Sequence, residues 1–150
     1  MPIISEEKCD LFANPAQTII MPVNLVGAMG AGIAYPFKKR FPSVYMAYRE
    51  LCLRKTLGLG RLVSYPLPYK DYRVLFFPTK DHWKDDSDIE YVEAGLEDLV
   101  ARYKELEITE LATPLLGTGC GKLEVNDVLP LMREHLNKLD IPVKICFRHY

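Results

Sequence analysis

The sequence predicts a three-layer α/β/α sandwich around a mixed, largely parallel central sheet. Three observations carry that expectation: short apolar, β-branched runs of strand length; amphipathic stretches of helical length that alternate with them; and glycine-rich turns where a strand hands over to a helix. At 150 residues the chain fits one domain over 1–150, and 49% hydrophobic with 26% charged residues is ordinary globular composition. Lys and Arg number 19 against 20 Asp and Glu, so a net charge of −1 supplies no global pull towards nucleic acid or anionic membrane.

Strands are expected near Pro2–Ser5, Gln17–Val23, Arg61–Tyr65, Arg73–Phe77, Thr109–Thr113 and Val143–Phe147. Several are nearly all-apolar, as in a sheet covered on both faces. A helix should begin just after Ser87, where Ser87 and Glu90 have the spacing of a capping box and Ile89, Val92, Leu96, Leu99, Val100, Tyr103 and Leu106 share one face. A second is expected over Asn126–Leu139, with Pro130 tolerable only in its first turn. Two more fit Gly32–Arg40 and Ser43–Lys55, divided by Pro42 and closed by Gly58.

Residues 11–37 carry no charge, a run long enough on paper to cross a bilayer. The run contains Asn14, Pro15, Gln17, Pro22, Asn24, Gly27, Gly30, Gly32 and Pro36, and so reads as strand, loop and helix start. Glu6 and Glu7 stand where a secretory signal would be basic. Cys9, Cys52, Cys120 and Cys146 show neither a CxxC pair nor zinc-ligand spacing with histidine, and are read as reduced thiols of a cytoplasmic, monomeric protein.

Two loops carry the chemistry. Asn24-x-x-Gly27-x-x-Gly30-x-Gly32-Ile33-Ala34 follows a strand and opens a helix, where backbone N–H groups and the helix dipole favour an anion. It is neither a Rossmann GxGxxG nor a P-loop, lacking the acidic partner of the first and the Gly-Lys-Ser/Thr of the second. Pro114-x-x-Gly117-Thr118-Gly119-Cys120-Gly121-Lys122 has the same strand-to-helix setting. Each loop alone could merely make a tight turn, whereas two at the carboxyl ends of strands in one sheet point to a diphosphate cleft.

With these loops, and an early Asp10 in Cys9-Asp10-Leu11, the chain resembles the macrodomain family over essentially its whole length. The resemblance implies ADP-ribose as ligand, with Asp10 and Leu11 at the adenine and Asn24 at the distal ribose. Gly27, Gly30, Gly32, Ile33, Gly117, Thr118, Gly119, Cys120 and Gly121 would hold the diphosphate. The segment from Phe77 through Thr79, Lys80, Asp81, His82 and Trp83 to Lys84 is similar to the antitoxin macrodomain of DarT/DarG systems, which removes ADP-ribose from thymidine in DNA. The related terminal ADP-ribose protein glycohydrolase also uses a lysine at this strand end, assisted by an acid at the position matching Gly121. The resemblance therefore implies a DNA ADP-ribosyl glycohydrolase with Lys80 catalytic, Thr79 and His82 on the substrate, no cofactor or metal, and a DarT-like toxin as partner. Hydrolysis of protein-linked ADP-ribose or ADP-ribose 1″-phosphate, and binding without turnover, are the alternatives.

On physical grounds, desolvation in an apolar cleft would favour a neutral Lys80 amine, a nucleophile able to form a Schiff base with an anomeric carbon; kept charged, the residue would stabilise a leaving group. Trp83 could stack on a base but is read as capping the core, and His82 is open as a substrate contact or a hydrogen-bonded edge residue. Lys38, Lys39 and Arg40 suit a helix end, and a DNA track would need Lys70, Arg73 and Lys84 nearby. Arg148 or Tyr150 would cover the adenine face, as chain ends do in similar macrodomains.

Overall fold

Along Arg73–Pro78 the side chains of Val74 and Phe76 turn to one side of the sheet and those of Leu75 and Phe77 to the other, all four buried. A strand apolar on both faces needs cover on both, and helices supply it. The computed structural model describes residues 4–13, 16–69 and 71–147. Its elements are β1 (Ile4–Glu7), β2 (Thr18–Val23), α1 (Ala34–Arg40), α2 (Pro42–Leu53), β3 (Val63–Pro66), β4 (Arg73–Pro78), α3 (Ile89–Arg102), β5 (Leu111–Pro114), α4 (Val125–Leu136) and β6 (Val143–Cys146). The sheet order is β1-β6-β5-β2-β4-β3, parallel throughout except for β3, which pairs antiparallel with β4 at the edge.

One core joins Ile20, Leu75 and Phe77 to Val92, Leu96 and Leu99 of α3 and Val128, Met132 and Leu136 of α4. The other joins Ile19, Met21, Val74 and Phe76 to Phe37 of α1 and Val44 and Tyr48 of α2. Gly95 sits in mid-helix because a Cβ there would run into the ring of Phe77, so its absence lets α3 lie close on the sheet.

The sheet opens at the centre. β2 stays with β4 as far as Val23 and Pro78, but pairs with β5 only at Thr18 and Ile19. Thr18 N–H donates to Glu110 O, so by alternation the even-numbered residues of β2 face β5. The N–H missing from Pro22 thus falls where pairing with β5 has already ended. Connections run from β2 to one side and from β4 back to the other, making this divergence the switch point at which open α/β sheets bind ligands.

Four local expectations change. The N-cap of α3 is Asp88, whose Oδ1 accepts from Glu90 N at 2.9 Å, while Ser87 turns inward as a buried hydroxyl without a partner among the described residues. Pro130 lies in the second turn of α4, not the first; the Asn126 carbonyl it frees is on an exposed stretch where water can serve it. Pro42 is the first residue of α2 rather than a divider beyond it, and that helix is capped at Arg54, with Lys55 at φ 56°, before Gly58 is reached. Cys9 and Cys146 form a disulfide with Cα atoms 5.2 Å apart, correcting the reading of four reduced thiols; Cys52 and Cys120 are free. The reason is topological, since β1 and β6 are parallel neighbours although their cysteines lie 137 residues apart in sequence.

Candidate active site

A cleft of about 940 Å³ lies at the carboxyl ends of β5, β2 and β4, within the roughly 300–1,000 Å³ usual for small-molecule sites. Its walls are the loop from β2 to α1, the loop from β5 to α4, and the segment after β4. Asn24, Gly30, Gly32, Ile33, Thr79, Lys80, Gly117, Thr118, Gly119, Cys120 and Gly121 all line it, as expected from the loops.

Asn24 organises the first loop. Its Oδ1 accepts from Val26 N at 3.1 Å and Ala28 N at 3.2 Å, and its Nδ2 donates to Ala28 O at 2.9 Å. An amide nitrogen has two hydrogens, so one is left over for a ligand. The buried Tyr48 hydroxyl reaches Asn24 O at 2.7 Å and Oδ1 at 2.8 Å, and burial pushes its pKa far up, so it stays protonated and a donor. Tyr48 is a support that sequence reasoning missed: it reads as one more apolar residue of α2. Gly27, at φ +82°, packs on Arg49 instead of lining the cleft, so its role is to turn the loop.

Beyond Gly27, the backbone N–H groups of Gly30, Ala31, Gly32 and Ile33 donate to no acceptor among the described residues, and neither do those of Thr118, Gly119 and Cys120 in the second loop. Backbone donors are rarely left idle, and two such runs facing one cleft make an anion cradle. α1 has only seven residues, so the cradle rests on loop N–H groups more than on the helix dipole invoked from sequence. The loops nearly meet: a Cβ on Gly32, at φ +60°, would stand 3.2 Å from Cys120 Sγ. Gly30 and Gly119 have open space where a Cβ would be.

Gly121 is the reverse case. A Cβ there would collide with Ser87 Oγ and Gly117 O, because Ser87 N donates to Gly121 O at 2.9 Å and draws the loop against the start of α3. A carboxylate there would need Ser87 and the loop at Gly117 to move.

Lys80 follows β4 and is only 8% exposed. Its Nζ donates to Cys120 O at 3.2 Å and Trp83 O at 3.3 Å, joining the β4 end to the second loop. Two of the three directions about the nitrogen are thereby fixed. The third holds a hydrogen if the group is charged and a lone pair if it is neutral.

Other expected residues lie elsewhere. Trp83 is 53% exposed at the rim, correcting its assignment to the core; the His82 ring is 5.4 Å from it and Lys84 Nζ 5.2 Å. His82 does not line the cleft; its Nδ1 accepts from Lys84 N at 3.1 Å, the edge-residue arrangement. Leu11 is core, and Asp10 Oδ1 accepts from Phe12 N at 2.9 Å, outside the cleft wall. Yet Cys9, its neighbour, is bonded to Cys146, which does line the cleft. Arg148, Tyr150 and Lys70 lie outside the described residues. Arg73 stands at the opposite end of β4 from Lys84, bonded to Ser64 Oγ at 2.7 Å, so the two do not form one basic track. Lys38, Lys39 and Arg40 lie over the rings of Tyr45, Tyr35 and Phe12.

A switch-point cleft with two backbone cradles is the arrangement of a phosphate-binding α/β module, and the Macro domain family matches residues 20–132. The chain belongs to the macro domain family. It is similar to a DNA ADP-ribosyl glycohydrolase of Thermus aquaticus, 41% identical over 133 residues that make up 87% of this chain and 37% of the relative. Among solved structures, it is similar to Thermosipho africanus DarTG in complex with ADP-ribose (40% identity, TM-score 0.88, covering 92% of this chain and 39% of that one). It also matches the macrodomain of Mycobacterium tuberculosis DarG, at 33% identity and TM-score 0.92 over the whole of both chains. The chain thus spans little more than a third of the length of the curated relatives it matches, 39% and 37% for the first two.

Proposed function

We propose that this macro domain hydrolyses the glycosidic bond between ADP-ribose and a modified thymidine base in single-stranded DNA, reversing the action of a DarT-like toxin. The observation that carries the reading is Lys80: a buried amine held between the β4 end and the second loop, with one direction about its nitrogen free in a cleft that offers backbone donors to a diphosphate. In this reading the loops at Gly30–Ile33 and Gly117–Gly121 hold the diphosphate, Asn24 meets the distal ribose with Thr79 also on the substrate, and Asp10 and the backbone of Leu11 meet the adenine end. Trp83 and His82 border the path by which the base enters.

Hydrolysis breaks the bond from the anomeric carbon to the base; water supplies hydroxyl to the carbon and a proton to the base. Lys80 either adds to the carbon as a neutral amine or, charged, stabilises the departing base. The terminal ADP-ribose protein glycohydrolase that the sequence resembles pairs its lysine with an acid, and the crowding at Gly121 disfavours one here, which favours DNA over protein carboxylate as substrate. We also assign the chain one domain over 1–150, a monomeric state and a cytoplasmic setting; no helix among the described residues is long and apolar enough to cross a membrane.

The test is a side-by-side turnover assay on ADP-ribosylated single-stranded DNA, protein modified on carboxylates, and ADP-ribose 1″-phosphate, with calorimetric titration of free ADP-ribose. Release from DNA at least tenfold faster than from the other two is expected. Faster release from protein or phosphate would move the substrate assignment, and binding without turnover would make the domain a reader.

A further inference from the structure

We propose that Glu93, Glu97 and His135 form a binding site for a divalent transition-metal ion, zinc the best fit, which fastens α3 to α4. One carboxylate oxygen from each glutamate and one ring nitrogen of the histidine all lie within 4.8 Å of one another. The glutamates are one turn apart on a single face of α3, and His135 comes from the last turn of α4, which packs against it.

The histidine carries the argument. It is only 6% exposed, and its Nδ1 lies 2.9 Å from Leu131 O. A carbonyl oxygen can only accept, so Nδ1 bears the hydrogen and Nε2 of the neutral ring bears the lone pair. No hydrogen-bond partner for Nε2 is found among the described residues. A ring held by a backbone carbonyl through one nitrogen, with the other left to bind, is how proteins orient metal-binding histidines, and Nε2 is the nitrogen assigned to the ion.

The carboxylates supply the remainder. Both glutamates are exposed, and among the described residues neither has a lysine, arginine or histidine within ion-pair distance. Two like charges one turn apart repel, and a shared cation relieves them. Around a tetrahedral zinc with bonds of about 2.0–2.2 Å, ligand atoms stand about 3.4 Å apart, so the ligand atoms need close in by no more than about 1.4 Å, the exposed glutamates moving towards the fixed ring. Imidazole with carboxylate suits zinc better than magnesium, which keeps oxygen ligands and several waters. Water fills the fourth position. None of the three side chains lines the cleft, so the ion acts on stability: binding only the folded state, it shifts unfolding by mass action.

The 150-residue chain, stripped of metal and titrated with zinc chloride, should bind one ion at this site and melt at a higher temperature. Cobalt substituted for zinc should give tetrahedral d–d absorption without the thiolate charge-transfer band that the free Cys52 or Cys120 would produce. Glu93→Gln and Glu97→Gln, at exposed positions that keep the fold, should each weaken zinc binding at least tenfold and abolish the rise in melting temperature; His135→Gln should do the same if it folds. Zinc affinity unchanged within twofold in the glutamate variants, no zinc-dependent rise in the wild type, or a cobalt spectrum dominated by thiolate would each overturn the proposal.

Discussion

Lys80 lines the cleft but contributes none of the backbone N–H donors of the two loops, so its removal should leave the anion cradle standing. Lys80→Ala is expected to abolish release of ADP-ribose from modified single-stranded DNA in single-turnover assays while changing ADP-ribose affinity by less than about tenfold, or 1.4 kcal/mol. Lys80→Arg should fail too if the amine attacks, because guanidinium stays protonated, and should keep activity if positive charge suffices. At Gly119, where space is open, a carboxylate can be built without strain: Gly119→Glu should fold with wild-type cooperativity yet lose ADP-ribose binding by calorimetry, through repulsion of the diphosphate. Lys80 and the glycines were legible in sequence because each sits in a short contiguous motif. Tyr48 and Ser87 were not, since their roles depend on contacts with Asn24 and Gly121, far away in the chain. Trp83 misled because an aromatic beside an apolar strand usually belongs to the core.

Within α3, helix propensity and packing oppose each other. Alanine is preferred to glycine in a helix by about 1 kcal/mol, but a methyl at Gly95 would drive into the buried Phe77 ring, and overpacking costs about 1–3 kcal/mol. Gly95→Ala should therefore lower stability in urea unfolding, and a gain would show that Phe77 can move aside. The same helix is tied to the approach to β3. Asp98 Oδ2 accepts from Leu62 N at 2.9 Å and from Arg102 Nη2 at 2.6 Å, and Arg102 Nη2 donates to Leu62 O at 2.8 Å. Burial works against the charged form of Asp98, but the hydrogen bonds from Arg102 and Leu62 outweigh it and hold the carboxyl below its ordinary 3.8. Its contribution is therefore complete above pH 3.8 and is lost as the pH falls through the lower folded value. Asp98→Asn should cost about 1–3 kcal/mol at pH 7, and that difference should shrink as unfolding is measured at progressively lower pH below 4. A penalty that does not change with pH would show that the charge is irrelevant. Strands and helices were legible because periodicity is local; their ends depended on caps. Asp88 displaced Ser87 by a single residue, since either could accept from the first turn and only the burial of Ser87 decides between them.

The layered architecture and the mostly parallel sheet followed from alternation of elements, but sequence gave no sign that the first and last strands are neighbours. That adjacency brings Cys9 to Cys146 and closes a loop with a sequence separation of 137. A cross-link over so long a loop stabilises chiefly by restricting the unfolded chain, so reductant, or Cys146→Ser, should lower unfolding free energy by about 2–5 kcal/mol. An unchanged urea midpoint would contradict this. Because disulfides are rare in most cytosolic proteins, a thiol count on protein alkylated directly in its cells would also test the cytoplasmic assignment.

Covalently, the bond closes residues 9–146 into a ring. A protease that cuts once in an exposed stretch such as Asp85–Asp86 would open the ring without separating its pieces: the nicked protein should run as one species on a gel without reductant and as two with it. The two pieces would stay joined through Cys9 and Cys146, so the nicked protein should unfold at a urea midpoint that does not change with protein concentration, as it would if the pieces could part.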